Sequence, residues 1–247
     1  MPVTLSSIAA STLTGSQASG QSGIDRVTQT FQKADKRIQQ QRDLAAVQLS
    51  SFGRLKSAFA GTETAATGLG SIKSTSSAAD VRAAAGTFVK AFNNAVETAR
   101  AAAAQSGTSV ESNRARAAEA ELRRSLNDGA ASAELRKIGI TRQANGTLAI
   151  DSKVFDTALS AEPEAVRSTL SRAGQQVSQT AAGQLADGGN IGRAVNALSD
   201  RARSLEVRQA EQQALAKTGQ QNISAQTNRF ATSLNSGAAA YERIFSN

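Results

Sequence analysis

The 247-residue chain has no cysteine, no histidine and no tryptophan. Without Cys and His, zinc sites of the usual ligand types, thiol nucleophiles, disulfides and a Ser-His-Asp triad are all excluded. Only two prolines occur, Pro2 and Pro163, so most of the chain can stay helical without interruption. Aromatic residues make up 4% of the sequence, and much of its 40% hydrophobic fraction is alanine. A thick core is hard to fill with Ala, whereas long helices in close lateral contact suit it, because Ala has the best helix propensity and permits close approach. There is no run of about 20 apolar residues, so no segment is predicted to insert into a membrane. Residues 1–23 are rich in Ser, Thr, Gly and Gln and lack the basic start and apolar centre of a cleaved signal peptide. They hold too few large apolar residues to repay the entropy of ordering and read as a mobile segment. The length allows one large or two small domains.

The net charge is +8, which raises nucleic acid and anionic membrane as partners. The basic residues are scattered and interleaved with acids, as in Arg201-Ala202-Arg203-Ser204-Leu205-Glu206, and this is the pattern of solvated helix faces. With one Tyr and no Trp the usual base-stacking surface is missing, so nucleic acid is not the expected partner. The sequence shows no paired acids in a plausible cleft, no phosphate loop and no dinucleotide fingerprint. Asp187-Gly188-Gly189-Asn190 has calcium-loop residue types but too few ligands. No catalytic, cofactor-binding or metal residue is assigned: the chain reads as a non-enzyme without cofactor.

What the sequence does have is periodicity. Ile24, Phe31, Ile38, Ala45, Phe52 and Phe59 recur every seven residues, with Val27, Ala34 and Leu55 on an adjoining row that Gln41 and Gln48 interrupt. Such a repeat predicts a coiled-coil seam on a helix from Ile24 to about Ala60, with Gly61, Gly68 and Gly70 marking its fraying end. A second long helix is predicted from Ile191. Its face begins as Val195, Leu198, Ala202 and Leu205, weakens over Gln-rich turns near 208–221, and resumes as Ile223, Phe230, Leu234, Tyr241 and Ile244, with Gly219 and Gly237 on or beside it. An arm this long cannot hide its stripe alone. Its partner is the first arm, in either orientation, or a neighbouring subunit. The candidate assembly contacts are Phe31, Phe52, Phe59, Ile223, Phe230, Leu234, Tyr241 and Ile244, each worth roughly 1.5–3 kcal/mol when fully buried.

Between the arms lies a different pattern. Ile138-Gly139-Ile140, a polar turn with Asn145-Gly146, and Leu148-Ala149-Ile150 predict a β-hairpin. Asp151 stands at the N-cap of a following helix with Val154, Phe155, Ala158 and Leu159 on one face. Ile138, Ile140, Leu148 and Ile150 are expected in the core, and Gly139 and Gly146 serve backbone geometry. Ser77 with Asp80 caps a helix over about 78–104 whose inward stripe is Val81, Ala85, Phe88, Phe92, Ala95, Val96 and Ala99. Thr108 with Glu111 forms a second capping box, opening a helix to about Leu126, and Asn127-Asp128-Gly129 ends it. Short helices are expected over 131–137 and 152–160, then one starting near Pro163, another over 174–186, and a turn at 187–190.

The central stretch, with Ala158-Leu159, Pro163-Glu164-Ala165-Val166 and Leu170 behind it, resembles the bacterial flagellar filament-capping family of the hook-associated protein 2 type. Ser22-Gly23-Ile24-Asp25 with Val27, Ser50 to Ala58, and Phe230 to Ser236 with Tyr241 and Phe245 are similar to its two arms. The resemblance implies a mainly α fold: terminal helices forming a coiled-coil leg, over 24–70 and 191–247, around a helical core over 71–190 with a small hairpin near 138–151. It implies that Ile138, Gly139, Ile140, Gly146, Leu148, Ile150 and Asp151 are mainly structural. It further implies a secreted homo-oligomer at the distal filament tip that helps flagellin polymerise and pairs with other axial proteins. Export would use the flagellar type III apparatus, guided by residues 1–23. One departure stands out. The family inserts variable β-rich head domains between first arm and core, where this chain has only the linker near 71–77. That leaves a filament or hook-junction paralogue without capping activity as an alternative. A cytoplasmic helical binding module, a chaperone or nucleic-acid adaptor, is another.

Overall fold

The computed structural model describes the backbone of residues 5–106, 109–127 and 129–245, and the side chains of 28–106, 109–127, 132–240 and 243. The elements are α1 (Leu5–Gly70), α2 (Ala78–Gln105), α3 (Val110–Arg124), α4 (Gly129–Lys137), β1 (Ile140–Arg142), β2 (Leu148–Ile150), α5 (Ser152–Ala161), α6 (Pro163–Leu185) and α7 (Asn190–Phe245). The protein is mainly α with a two-stranded antiparallel hairpin. It divides into two units. A core unit spans Ala45–Arg201, and a terminal unit pairs Met1–Leu44 with Ala202–Asn247. The division falls inside α1 and α7, not at their ends. Residues 45–70 and 191–201, expected in the arms, therefore belong to the core.

α1 is longer than its periodicity predicts at both ends. From Leu5 the backbone is helical through the stretch expected to be mobile. Nothing after Pro2 forbids helical dihedrals there, and low hydrophobicity denies a segment its buried face without denying it a helix. At the other end α1 passes through Gly61 and Gly68 to Gly70. Each glycine costs about 1 kcal/mol against Ala, but Phe59, Ala66 and Leu69 are completely buried on the same turns, and that burial outweighs the cost.

The core unit is built around α2. Ser77 and Asp80 form the expected reciprocal capping box, and the whole predicted stripe from Val81 to Ala99 is buried. Phe88 and Phe92 pack at a ring-centroid distance of 6.1 Å. The Thr62 hydroxyl of α1 lies within hydrogen-bond distance of two carbonyls, Ala58 of its own helix and Ala91 of α2. Gly174 of α6 crosses α1 so closely that an added Cβ would sit 2.4 Å from the Ala66 carbonyl oxygen. α3 buries Ala115, Ala118 and Leu122. Its cap is Ser109, whose hydroxyl accepts from the Ser112 amide. Thr108 and Asp128, placed at its two ends by the sequence reading, lie outside the described residues. The two helices expected after Pro163 are one, because Ala173, Gly174 and Val177 continue a single buried stripe. In α5 Phe155 and Leu159 are buried, but Val154 is exposed, one position off the inward face.

Candidate assembly surface on the terminal arms

Two elements meet in the terminal unit, the described turns of α1 before Ala45 and those of α7 after Arg201. On α7, Leu205, Gln209, Gln212, Ala216, Gly219 and Ile223 follow one another at alternating spacings of four and three residues, the geometry of a coiled-coil stripe. On α1 the half-covered positions are Phe31, Ala34, Asp35, Ile38 and Arg42. Arg42 faces Glu206 at 3.8 Å and donates a hydrogen bond to Gln209. The Gln209 amide donates to Gln39 at 3.4 Å. The Phe31 ring lies over Gly219, where an added Cβ would be 3.9 Å away. Thr28 and Phe31 line a cavity with Ile223 and Thr227. Residue numbers rise along one helix as they fall along the other, so the arms run antiparallel. The sequence left that orientation open.

This seam is polar and loosely filled. One cavity of about 390 Å³ is bordered by Phe31, Ile223 and Thr227, and another of about 190 Å³ by Asp35, Gln212 and Ala216. The Asp35 Oδ1 atom is buried without a hydrogen-bond partner among the described residues. Gln41, expected to interrupt the seam, is exposed, and Arg42 takes the seam position instead. Gln48, in the core unit, is buried, with its Oε1 unpartnered among the described residues. A seam that half-covers amides and an arginine gains less per turn than one lined by Leu or Phe.

The predicted contact residues divide into three groups. Phe52 and Phe59 are wholly buried in the core unit, in the same cluster as Leu55, Phe88 and Phe92. They leave no surface for a neighbour, because the same heptad stripe that marks an oligomer seam also marks an intrachain one. Phe31 and Ile223 are half-covered across the arm seam. Phe230 and Leu234 stand one turn apart on α7, 55% and 37% exposed. The side chains of Tyr241 and Ile244 lie outside the described residues. The sequence reading missed Leu44, Val207 and Leu215, all exposed. Their signal was present: each is a large apolar residue off the heptad rows.

The hairpin residues are construction parts. Ile140 pairs with Ile150, Thr141 with Ala149 and Arg142 with Leu148. Ile138, Ile140 and Leu148 are buried and Ile150 packs against the same cluster. Gly139 and Gly146 both have φ near +80°, a region that side chains rarely adopt. A Cβ at Gly139 would also sit 2.8 Å from the Asp151 carbonyl oxygen. Asp151 caps α5 by accepting from the Val154 amide at 3.1 Å. What periodicity could not show is the clamp from α2. The Asn93 side chain accepts from the Leu148 amide at 2.7 Å and donates to the Leu148 carbonyl at 2.9 Å, closing one edge of β2. Arg100 ties Glu119 of α3, at 2.7 Å, to the Asn145 carbonyl of the turn.

Among the described residues no group of His, Cys, Asp and Glu could hold a metal ion, and no helix is long and apolar enough to cross a membrane. Fold and surface together define a mainly α protein with two units: a helical core carrying a small hairpin, and a terminal unit in which the described turns of α1 and α7 pair antiparallel. Residues 62–247 match the family model for the C-terminus of flagellar hook-associated protein 2. The chain therefore belongs to that family, a family of structural components of the bacterial flagellum. No curated protein and no solved structure matches it.

Proposed function

We propose that this protein is a compact cap-type component of the flagellum. In this reading it is exported through the type III apparatus, guided by residues 1–23, sits as an oligomer at the distal filament end, and promotes flagellin polymerisation. The observation that carries the reading is the state of α7 beyond Ile223. Phe230 and Leu234 lie in the family-matched region and stay exposed in the single chain, and exposed large apolar neighbours favour a partner surface. The polar, cavity-containing arm seam supports the same reading, since weak pairing lets a cap shift as subunits arrive. No enzymatic role is proposed.

The test is deletion combined with fractionation of cells, culture medium and sheared filaments. The expected result is export-dependent appearance of the protein outside the cell, with short filaments and monomeric flagellin leaking on deletion. Retention in the cytosol of an export-competent strain, with normal filaments after deletion, would refute it and favour the cytoplasmic binding module. One feature supports a second reading. α1 passes to α2 through residues 71–77 alone, where the resemblance implies head domains, and this favours a filament or hook-junction paralogue. Export with unchanged filament length on deletion would select that reading.

A further inference from the structure

The core unit holds a second feature that neither the hairpin's structural role nor the arms account for. A cleft of about 170 Å³ lies beside the hairpin, and three arginines line it: Arg123 from the last turn of α3, Arg136 from the last turn of α4 and Arg142 from the end of β1. The Ser132 hydroxyl joins them, over a floor that includes Phe92 and Ile140. None of the described lining residues is acidic. Among the described residues, Glu119 and Glu134 are already engaged. Glu119 holds Arg100 at 2.7 Å and Arg123 at 3.4 Å, and Glu134 holds Arg172 at 2.7 Å. Arg136 and Arg142 have no ion pair or side-chain hydrogen bond among the described residues, and the Nε of Arg123 is buried without an acceptor.

Three guanidinium groups brought to one small opening from three elements repel one another, and an anion between them removes that repulsion. We infer that the Arg123–Arg136–Arg142 cleft binds a carboxylate presented by an acidic segment of a partner protein. The small volume and apolar floor suit the methylenes and single headgroup of a Glu or Asp side chain. Guanidinium forks match a carboxylate bidentately. Nucleic acid fits less well. A phosphodiester track needs basic residues spread along a face and exposed aromatics to stack on, whereas the one aromatic lining residue here, Phe92, is fully buried in the floor. The flagellar reading bears only on which protein brings the acid. Binding to the cleft itself does not depend on it.

The test uses the full chain and a fluorescent hexaglutamate peptide, titrated at low ionic strength. Saturable binding is expected. The Arg136→Gln/Arg142→Gln variant should weaken it at least about tenfold, the loss expected for charge-assisted hydrogen bonds. The Lys90→Gln/Lys153→Gln variant removes the same charge from exposed positions elsewhere in the core unit and should change binding by less than about twofold. Circular dichroism and melting curves establish that both variants fold. Equal loss in the two variants, or no saturable binding, would overturn the site. Tighter binding of an oligothymidylate of equal charge, or displacement of the peptide by inorganic phosphate at lower concentration than by glutarate, would overturn its assignment to a carboxylate. None of these readouts involves export or filaments, so failure here and failure of the cap reading are distinguishable.

Discussion

Phe31 and Phe52 occupy the same position of the heptad repeat on α1, three repeats apart. Phe52 is completely buried, in a core cluster that also holds Leu55, Phe155, Leu170 and Ile191. Phe31 is half-covered, faces a glycine and borders two cavities. The sequence pattern is the same, and the surroundings decide its value. In the core unit the stripe joins one cluster with Phe88, Phe92 and Val96 of α2 and Val166 and Val177 of α6. In the terminal unit it meets Gln209, Gln212, Ala216 and Gly219, which fill little space and bring amides into the seam. One helix thus serves a permanent core over part of its length and a weak, adjustable pairing over another part.

The largest expected effect tests this contrast directly. Phe52→Ala should cost about 3–5 kcal/mol of core stability, while Phe31→Ala should cost no more than about 1–2 kcal/mol because its burial is partial. Urea unfolding followed by circular dichroism measures both, and equal costs would break the comparison. Next comes Gly174→Ala. Its Cβ would run into the Ala66 carbonyl, and a well-packed crossing of helices should lose about 2–3 kcal/mol, read as a lowered melting temperature. Asn93→Ala strands the Leu148 amide and carbonyl and should cost about 1–2 kcal/mol, with faster hydrogen exchange at the Leu148 amide as its local signature. Gly219→Ala should act in the opposite direction. At 3.9 Å from Phe31 the new methyl makes ordinary contact, and losing a helix-interior glycine should stabilise the arm pair by about 0.5–1 kcal/mol. The smallest effect on stability belongs to Phe230→Ser with Leu234→Ser, within about 0.5 kcal/mol for exposed positions. That variant should nonetheless lose co-sedimentation with sheared filaments. If it still sediments, this turn of α7 is not the assembly contact.

Much of the fold was legible because its signals are local. The Ser77–Asp80 box, the inward stripe of α2, the glycines at positive φ and the Asp151 cap each follow from a few neighbouring residues and the backbone geometry they require. The candidate site was less legible. Heptad spacing nominated Phe52, Phe59 and Phe230 alike, because periodicity reports which face of a helix is apolar and is silent about what covers it. The Asn93 clamp and the arginine cleft were invisible for a related reason. Their members come from elements separated in sequence, Asn93 from Leu148 and Arg123 from Arg142, and no local pattern joins them.

The sequence by itself determined the helical class, the position of the hairpin and the need for two long apolar stripes to find cover, since propensity, turn chemistry and periodicity are properties of short segments. Tertiary structure alone decided where α1 and α7 change from core to arm, that the arms run antiparallel, and which aromatic residues remain in solvent. These depend on volume and complementarity between distant segments. Whether a stripe becomes a sealed core or an open seam is set by the side chains it meets.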